Sequence, residues 1–103
     1  MSGVFYPYRY GFETVAASVT GQVLGTAGAK GDYLHRIVVS NVTAATASVT
    51  IIDGSTSIVV QTGAATLPLG TFSVELDMVS QSGAWSITTG AGATVIAVGI
   101  FTV

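Results

Sequence analysis

An all-β fold, a small β-sandwich with an extended N-terminal arm, is what this 103-residue chain predicts, on three observations. Val, Ile and Thr recur in short runs parted by Gly-rich turns, the pattern of strands and tight reversals. No apolar repeat at three-to-four spacing is sustained along the chain, so no amphipathic helix is expected. Five of the nine aromatic residues, Phe5, Tyr6, Tyr8, Tyr10 and Phe12, crowd into one short stretch ahead of a body almost free of charge.

That stretch, Phe5-Tyr-Pro-Tyr-Arg-Tyr-Gly-Phe12, forms the predicted arm, residues 1–13. Pro7 and the flanking Gly3 and Gly11 disfavour a regular strand there. Aromatic side chains carry the largest apolar area per residue, and Tyr and Arg are enriched where one protein grips another. Phe5, Tyr6, Tyr8, Arg9, Tyr10 and Phe12 are therefore the expected partner-binding residues.

The β-domain is expected over 14–103. Its strands are read, in order, at Thr14–Val19, Gln22–Leu24, Tyr33–Val42, Ala47–Ile52, Thr56–Thr62, Thr71–Val79, Trp85–Thr89 and Thr94–Thr102, a spacing that suits a sandwich. Phe72-Ser-Val-Glu-Leu-Asp-Met78 alternates, setting its apolar side chains on one face and Ser73, Glu75 and Asp77 on the other. Ile37-Val-Val39 and Val95-Ile-Ala-Val-Gly-Ile-Phe101 are apolar on both faces, as in central strands or strands covered by a neighbouring subunit. Asp53-Gly54 reads as a hairpin turn. Together with Gln81-Ser-Gly83 and Gly90-Ala-Gly92 it predicts a meander.

Charged residues make up 8% of the chain and hydrophobic ones 50%, against roughly 25% charged in an average soluble domain. Such a surface is expected to be hidden in an oligomer or a docked complex. Three basic residues, Arg9, Lys30 and Arg36, offer no stripe for phosphates, so nucleic-acid binding is not expected. The uncharged stretch Met78–Val103 is long enough to cross a bilayer. Gln81, Ser82, Ser86, Thr88, Thr89 and Thr94 interrupt it, and strands account for it better. The absence of cysteine rules out disulfides. The N-terminal residues carry no pattern of an export signal, so none is expected.

Chemistry-bearing motifs are weak. Gly25-Thr-Ala-Gly-Ala-Lys-Gly-Asp32 lacks the glycine spacing and following helix of a phosphate loop. His35 is the sole histidine, and Asp32, Asp53, Glu75 and Asp77 form no diagnostic ligand pattern around it. Glu75 and Asp77 share a strand face at roughly 7 Å by strand rise, within the range of glycosidase carboxylates, but acids on a wet strand face also serve as edge protection. Lys30-Gly31-Asp32 matches an adhesion tripeptide and Asn41-Val-Thr43 a glycosylation acceptor, both patterns that arise often by chance. Trp85 is read as a core or subunit anchor, with a sugar-stacking platform as the alternative. Neither an enzyme nor a cofactor is expected.

Gly31-Asp-Tyr-Leu34, Ala47-Ser-Val-Thr-Ile-Ile-Asp-Gly54, Leu69-Gly-Thr-Phe72 and Ser82-Gly-Ala-Trp-Ser-Ile-Thr-Thr-Gly90 give the chain a look that resembles small virion proteins of tailed bacteriophages. Within that group it is most similar to capsid decoration, or cement, proteins. The resemblance spans Gly25 to Thr102 and rests on strand-turn style; the aromatic arm falls outside it. It implies a β-sandwich or jelly-roll domain, commonly trimeric, that docks on the major capsid protein at the outer surface of the capsid and strengthens the shell. A tail, neck or head-fibre subunit and a carbohydrate-binding module are the alternatives. A small hydrolase using Glu75 and Asp77 ranks behind them.

Overall fold

The computed structural model describes residues 10–103. The expected arm residues Phe5, Tyr6, Tyr8 and Arg9 lie outside them. Eight strands form: β1 (Gly11–Val15), β2 (Gln22–Val23), β3 (Tyr33–Asn41), β4 (Val49–Asp53), β5 (Thr56–Gln61), β6 (Gly70–Val79), β7 (Trp85–Thr89) and β8 (Ala93–Ile100). Among the described residues the one helical element is a single 3-10 turn, Ala44–Thr46.

The strands make two antiparallel four-stranded sheets, one in the order β1-β8-β3-β6 and the other β2-β7-β4-β5. This is the order of a jelly roll. It follows from one long antiparallel hairpin folded on itself about the Asp53-Gly54 turn: β4 pairs with β5, β3 with β6, β2 with β7 and β1 with β8. Successive pairs fall in alternate sheets, and the seams β3·β8 and β4·β7 close each layer.

The expected meander does not form. Asp53-Gly54 does turn a hairpin, but Gln81-Ser-Gly83 and Gly90-Ala-Gly92 each carry the chain from one sheet to the other. The Gly90-Ala-Gly92 turn first prolongs the β4·β7 register beyond Val49↔Thr89 and then crosses. Gly90 and Gly92 donate to the carbonyls of Ser48 and Thr46 at 2.8 and 3.0 Å.

The first strand also differs from expectation. It starts at Gly11, where β8 offers Gly99 as partner, and stops at Val15. Ser18, with φ of 59°, stands in the stretch that was expected to be strand, a conformation incompatible with a β ladder. Ala47 closes the 3-10 turn through its N–H to Ala44, so β4 begins later than Ala47.

Inward side chains from both layers form the core: Leu34, Ile37 and Val39 of β3, Val49 and Ile51 of β4, Trp85 and Ile87 of β7, and Val95 of β8, with Val15 and Leu24. Strict alternation along β3 would turn Ile37 outward after Leu34. A β-bulge at His35 inserts one extra residue against β8 and restores the phase, so Leu34, Ile37 and Val39 all face inward.

Gly54 has φ of 60°, and a Cβ there would stand 2.5 Å from the Ser82 hydroxyl and 2.7 Å from the Ser82 carbonyl carbon. Gly54→Ala is therefore expected to cost roughly 1–3 kcal/mol of stability through backbone strain and overlap. Urea unfolding measures it; an unchanged midpoint would mean that the two turns are not in contact.

Candidate docking face

A β-sandwich must cover its inner faces, while its outer faces are free to be polar. In the β2-β7-β4-β5 sheet the central strand β7 follows that rule, turning Trp85, Ile87 and Thr89 inward and Ser86 and Thr88 outward, with Val23, Ile52 and Val59 on the flanking strands of the same outer face. The other sheet inverts it. Its central strand β8 buries the small residues Ala93, Ala97 and Gly99 with Val95, and turns Ile96, Val98 and Ile100 outward along with Thr94. The bulkier apolar side chains of β8 face away from the core.

Cross-strand register assembles these residues into a patch, because directly opposed residues share a face. Phe12 of β1 lies opposite Val98, and Ile96 lies opposite both Thr14 of β1 and Val38 of β3. Phe12 is 73% exposed, Ile100 42% and Ile96 38%. Next to Phe12 and Ile100, a shallow cleft of about 330 Å³ extends to Phe101 and Val103. Of the predicted arm residues, Tyr10 and Phe12 thus belong to this face.

Tyr10 marks one end of the patch. Its ring stacks on His35 at 4.7 Å and tilts toward Tyr33 at 5.7 Å. The Tyr33 hydroxyl donates to the Asp77 carboxylate. That bond, with partial desolvation and the neighbouring Tyr10, pushes the phenol above its ordinary pKa. Because the single phenolic proton goes to Asp77, the 3.0 Å contact between Tyr33 Oη and His35 Nδ1 places a proton on Nδ1. His35 Nε2 then faces the Glu75 carboxylate at 3.9 Å. Glu75 and Asp77 accordingly edge an open, exposed face beside aromatic rings.

The other carboxylates are taken up in holding the fold. Glu13 accepts from the Gly25 N–H at 2.8 Å and from the Gln22 amide at 2.7 Å. Buried Asp32 accepts from Ala29 N–H and from both the N–H and hydroxyl of Thr102. Its carbonyl receives the indole N–H of Trp85 at 2.9 Å. Asp53, also buried, accepts from the N–H groups of Gln81 and Ser82 at 2.8 and 3.0 Å. Burial by itself would raise the Asp53 pKa, but the Gln81, Ser82 and Gly83 N–H groups with the Ser82 hydroxyl outweigh it and hold the carboxyl below its ordinary value.

These positions decide the weak motifs. Trp85 is 1% exposed and so serves the core rather than a sugar platform. Asp32 of Lys30-Gly31-Asp32 is buried. Asn41 is 3% exposed, with its amide bonded to the Pro68 carbonyl and the Gln61 side chain. Among the described residues no three His, Cys, Asp or Glu side chains are placed to hold a metal ion. No helix among them is long and apolar enough to cross a membrane.

The outward set Ile96, Val98 and Ile100 was visible in sequence only as half of a strand apolar on both faces. What the composition does show is that one alternate set is small, Ala93, Ala97 and Gly99, and that signal separates inner from outer. The Tyr10–Tyr33–His35–Asp77 cluster had no such signal, because it depends on the β3 bulge. Comparison with known proteins found no matching family model, no matching curated protein and no matching solved structure.

Asp53 also sets an expected pH dependence. A carboxyl whose folded pKa lies below its ordinary value contributes stability that is present above that ordinary value and is lost as pH falls through the folded pKa. Asp53→Asn should therefore lower the melting temperature at neutral pH. The gap from wild type should narrow as pH is taken down below the ordinary carboxylate range in thermal melts; a gap that stays constant would contradict the assignment.

Proposed function

We propose that this chain is a structural virion protein that decorates a bacteriophage capsid, docking on the major capsid protein and associating with further copies of itself. The observation that carries the reading is the inversion in β8, where a central strand directs Ile96, Val98 and Ile100 to the outside of its sheet. An apolar face of this kind in a chain with 8% charged residues calls for a permanent cover. The resemblance of the strand-turn segments to decoration proteins supplies the identity of the cover and the trimeric association. A jelly roll is compatible with capsid and lectin roles alike, so the fold by itself does not choose between them.

Docking through this face would be driven by apolar burial. About 400 Å² of covered surface corresponds to about 10 kcal/mol gross at ~25 cal/mol/Å², before association and ordering costs. Repeated over many copies, even a few kcal/mol of net contact each would raise the barrier to shell opening. The row Phe12, Val98, Ile96 and Val38 is uncharged, and Arg36, opposite Val98 and paired across to Glu75, is the cation on this face, so salt should change binding modestly through that one residue. Burial of Trp85 removes the strongest support for the carbohydrate-binding alternative. Tail, neck and head-fibre positions would use the same face and are separated by copy number.

Quantitative mass spectrometry of gradient-purified particles tests this reading. A fixed ratio to the major capsid protein, at hundreds of copies per particle, is expected for a shell component. A few copies per particle would move the chain to tail or neck, and absence from intact particles would refute the virion reading. On particles, Ile96→Lys should reduce occupancy at least about tenfold, the scale of placing an unpaired charge in a buried apolar contact.

A further inference from the structure

Strand β6 is the longest in the molecule and lies at the edge of its sheet, pairing among the described residues with β3 alone. Residues Gly70 to Ser73 are all exposed. An edge of this length presents a row of backbone donors and acceptors ready for another strand. At Asp77 the backbone takes φ of 53°, and two residues of β6, Leu76 and Asp77, stand against His35 alone. The regular part of the edge is therefore Thr71–Glu75, between Gly70 with φ of 113° and the bulge, and its midpoint is Ser73.

The side chains of that segment are complementary to themselves when read antiparallel. With Ser73 opposite Ser73 of a second copy, Thr71 lies opposite Glu75 and Phe72 opposite Val74, each pair occurring twice by symmetry. A hydroxyl meets a carboxylate on the outer face, and apolar side chains meet on the inner one. Thr71 shares a 3.0 Å contact with the Ser40 hydroxyl in which either can donate. When Ser40 donates, the Thr71 proton is free for the carboxylate. No pair in this register sets like charges opposite each other, the arrangement that would destabilise it.

We propose that two copies of this chain associate through β6, antiparallel and two-fold about Ser73, joining their β1-β8-β3-β6 sheets into one eight-stranded sheet. The contact is isologous, so it closes as a dimer and does not propagate. It is a two-fold contact additional to the trimeric association of the virion reading, requires only the exposed edge and stands without that reading.

The absence of cysteine makes the test direct. Opposed residues in an antiparallel pair lie about 4.5–5.5 Å apart at Cα, within the roughly 4.4–6.8 Å that a disulfide spans. Purified full-length Ser73→Cys should oxidise to a covalent dimer at least about tenfold faster than Ser57→Cys, an exposed position on the edge strand β5 of the other sheet. Ser73→Lys sets two ammonium groups opposite each other and should weaken the dimer at least about tenfold in sedimentation equilibrium. Circular dichroism checks that both remain folded, as substitutions at an exposed position should.

Equal cross-linking of the two cysteine variants would overturn the proposal. So would a wild-type chain that stays monomeric, as when Glu75 and Asp77 merely guard the edge, or an assembly whose mass Ser73→Lys leaves unchanged. A trimer in which Ser73→Cys does not cross-link would overturn the two-fold contact while leaving the virion reading in place. Conversely, a Ser73-linked dimer absent from phage particles would retain the contact and remove that reading.

Discussion

Three consecutive backbone N–H groups, those of Ser80, Gln81 and Ser82, donate to two buried aspartates, and the architecture turns on them. Ser80 donates to the Asp32 carbonyl, Gln81 and Ser82 to the Asp53 carboxylate. This short segment carries the chain from β6 in one sheet to β7 in the other. A crossover between layers leaves the ladder, and its donors would be unsatisfied without acceptors placed there. The same two residues reach further, since Asp32 also holds Trp85 and Thr102, and the Asp53 turn packs against Ser82 and Gly83. The core tryptophan, the chain end and the central hairpin are thus fixed by one network.

Spending Asp32, Asp53 and Glu13 on internal acceptance leaves Glu75 and Asp77 as the acids at the surface, both at one edge of one sheet. That leaves the two outer faces chemically distinct. Ser86 and Thr88 on β7 give one sheet a polar centre, whereas Ile96, Val98 and Ile100 on β8 give the other an apolar one. The functional reading grows from this asymmetry rather than from a reactive group. Binding by such a face needs shape and apolar area, both of which a rigid central strand supplies without any conformational step.

Most of the fold was legible in the chain itself. All eight strands were predicted, and the termini of β7 fall where Trp85 and Thr89 placed them, because alternation and turn residues are local signals. Strand pairing is not local. Gln81-Ser-Gly83 looks like a hairpin turn in sequence, but it crosses between the sheets, with Asp53, distant in the chain, accepting the Gln81 and Ser82 N–H groups and Asp32 that of the preceding Ser80. The β3 bulge was likewise hidden, since Tyr33-Leu-His-Arg-Ile37 shows no glycine or other residue that marks a register shift. For the docking face, Tyr10 and Phe12 stood out as aromatics. Val38 and the β8 residues needed the topology, which decides which half of a doubly apolar strand turns outward.

The central claim is that the outer face of β1-β8-β3-β6 is covered in the assembled state. Hydroxyl-radical footprinting of the chain free in solution and bound to particles tests it most directly, with Phe12, Ile96 and Ile100 as reporters on that face and Ile52 and Val59 on the opposite sheet. Protection confined to Phe12, Ile96 and Ile100 is the predicted result. Protection of Ile52 and Val59 with Ile96 still labelled would contradict it and place the contact on the β2-β7-β4-β5 sheet.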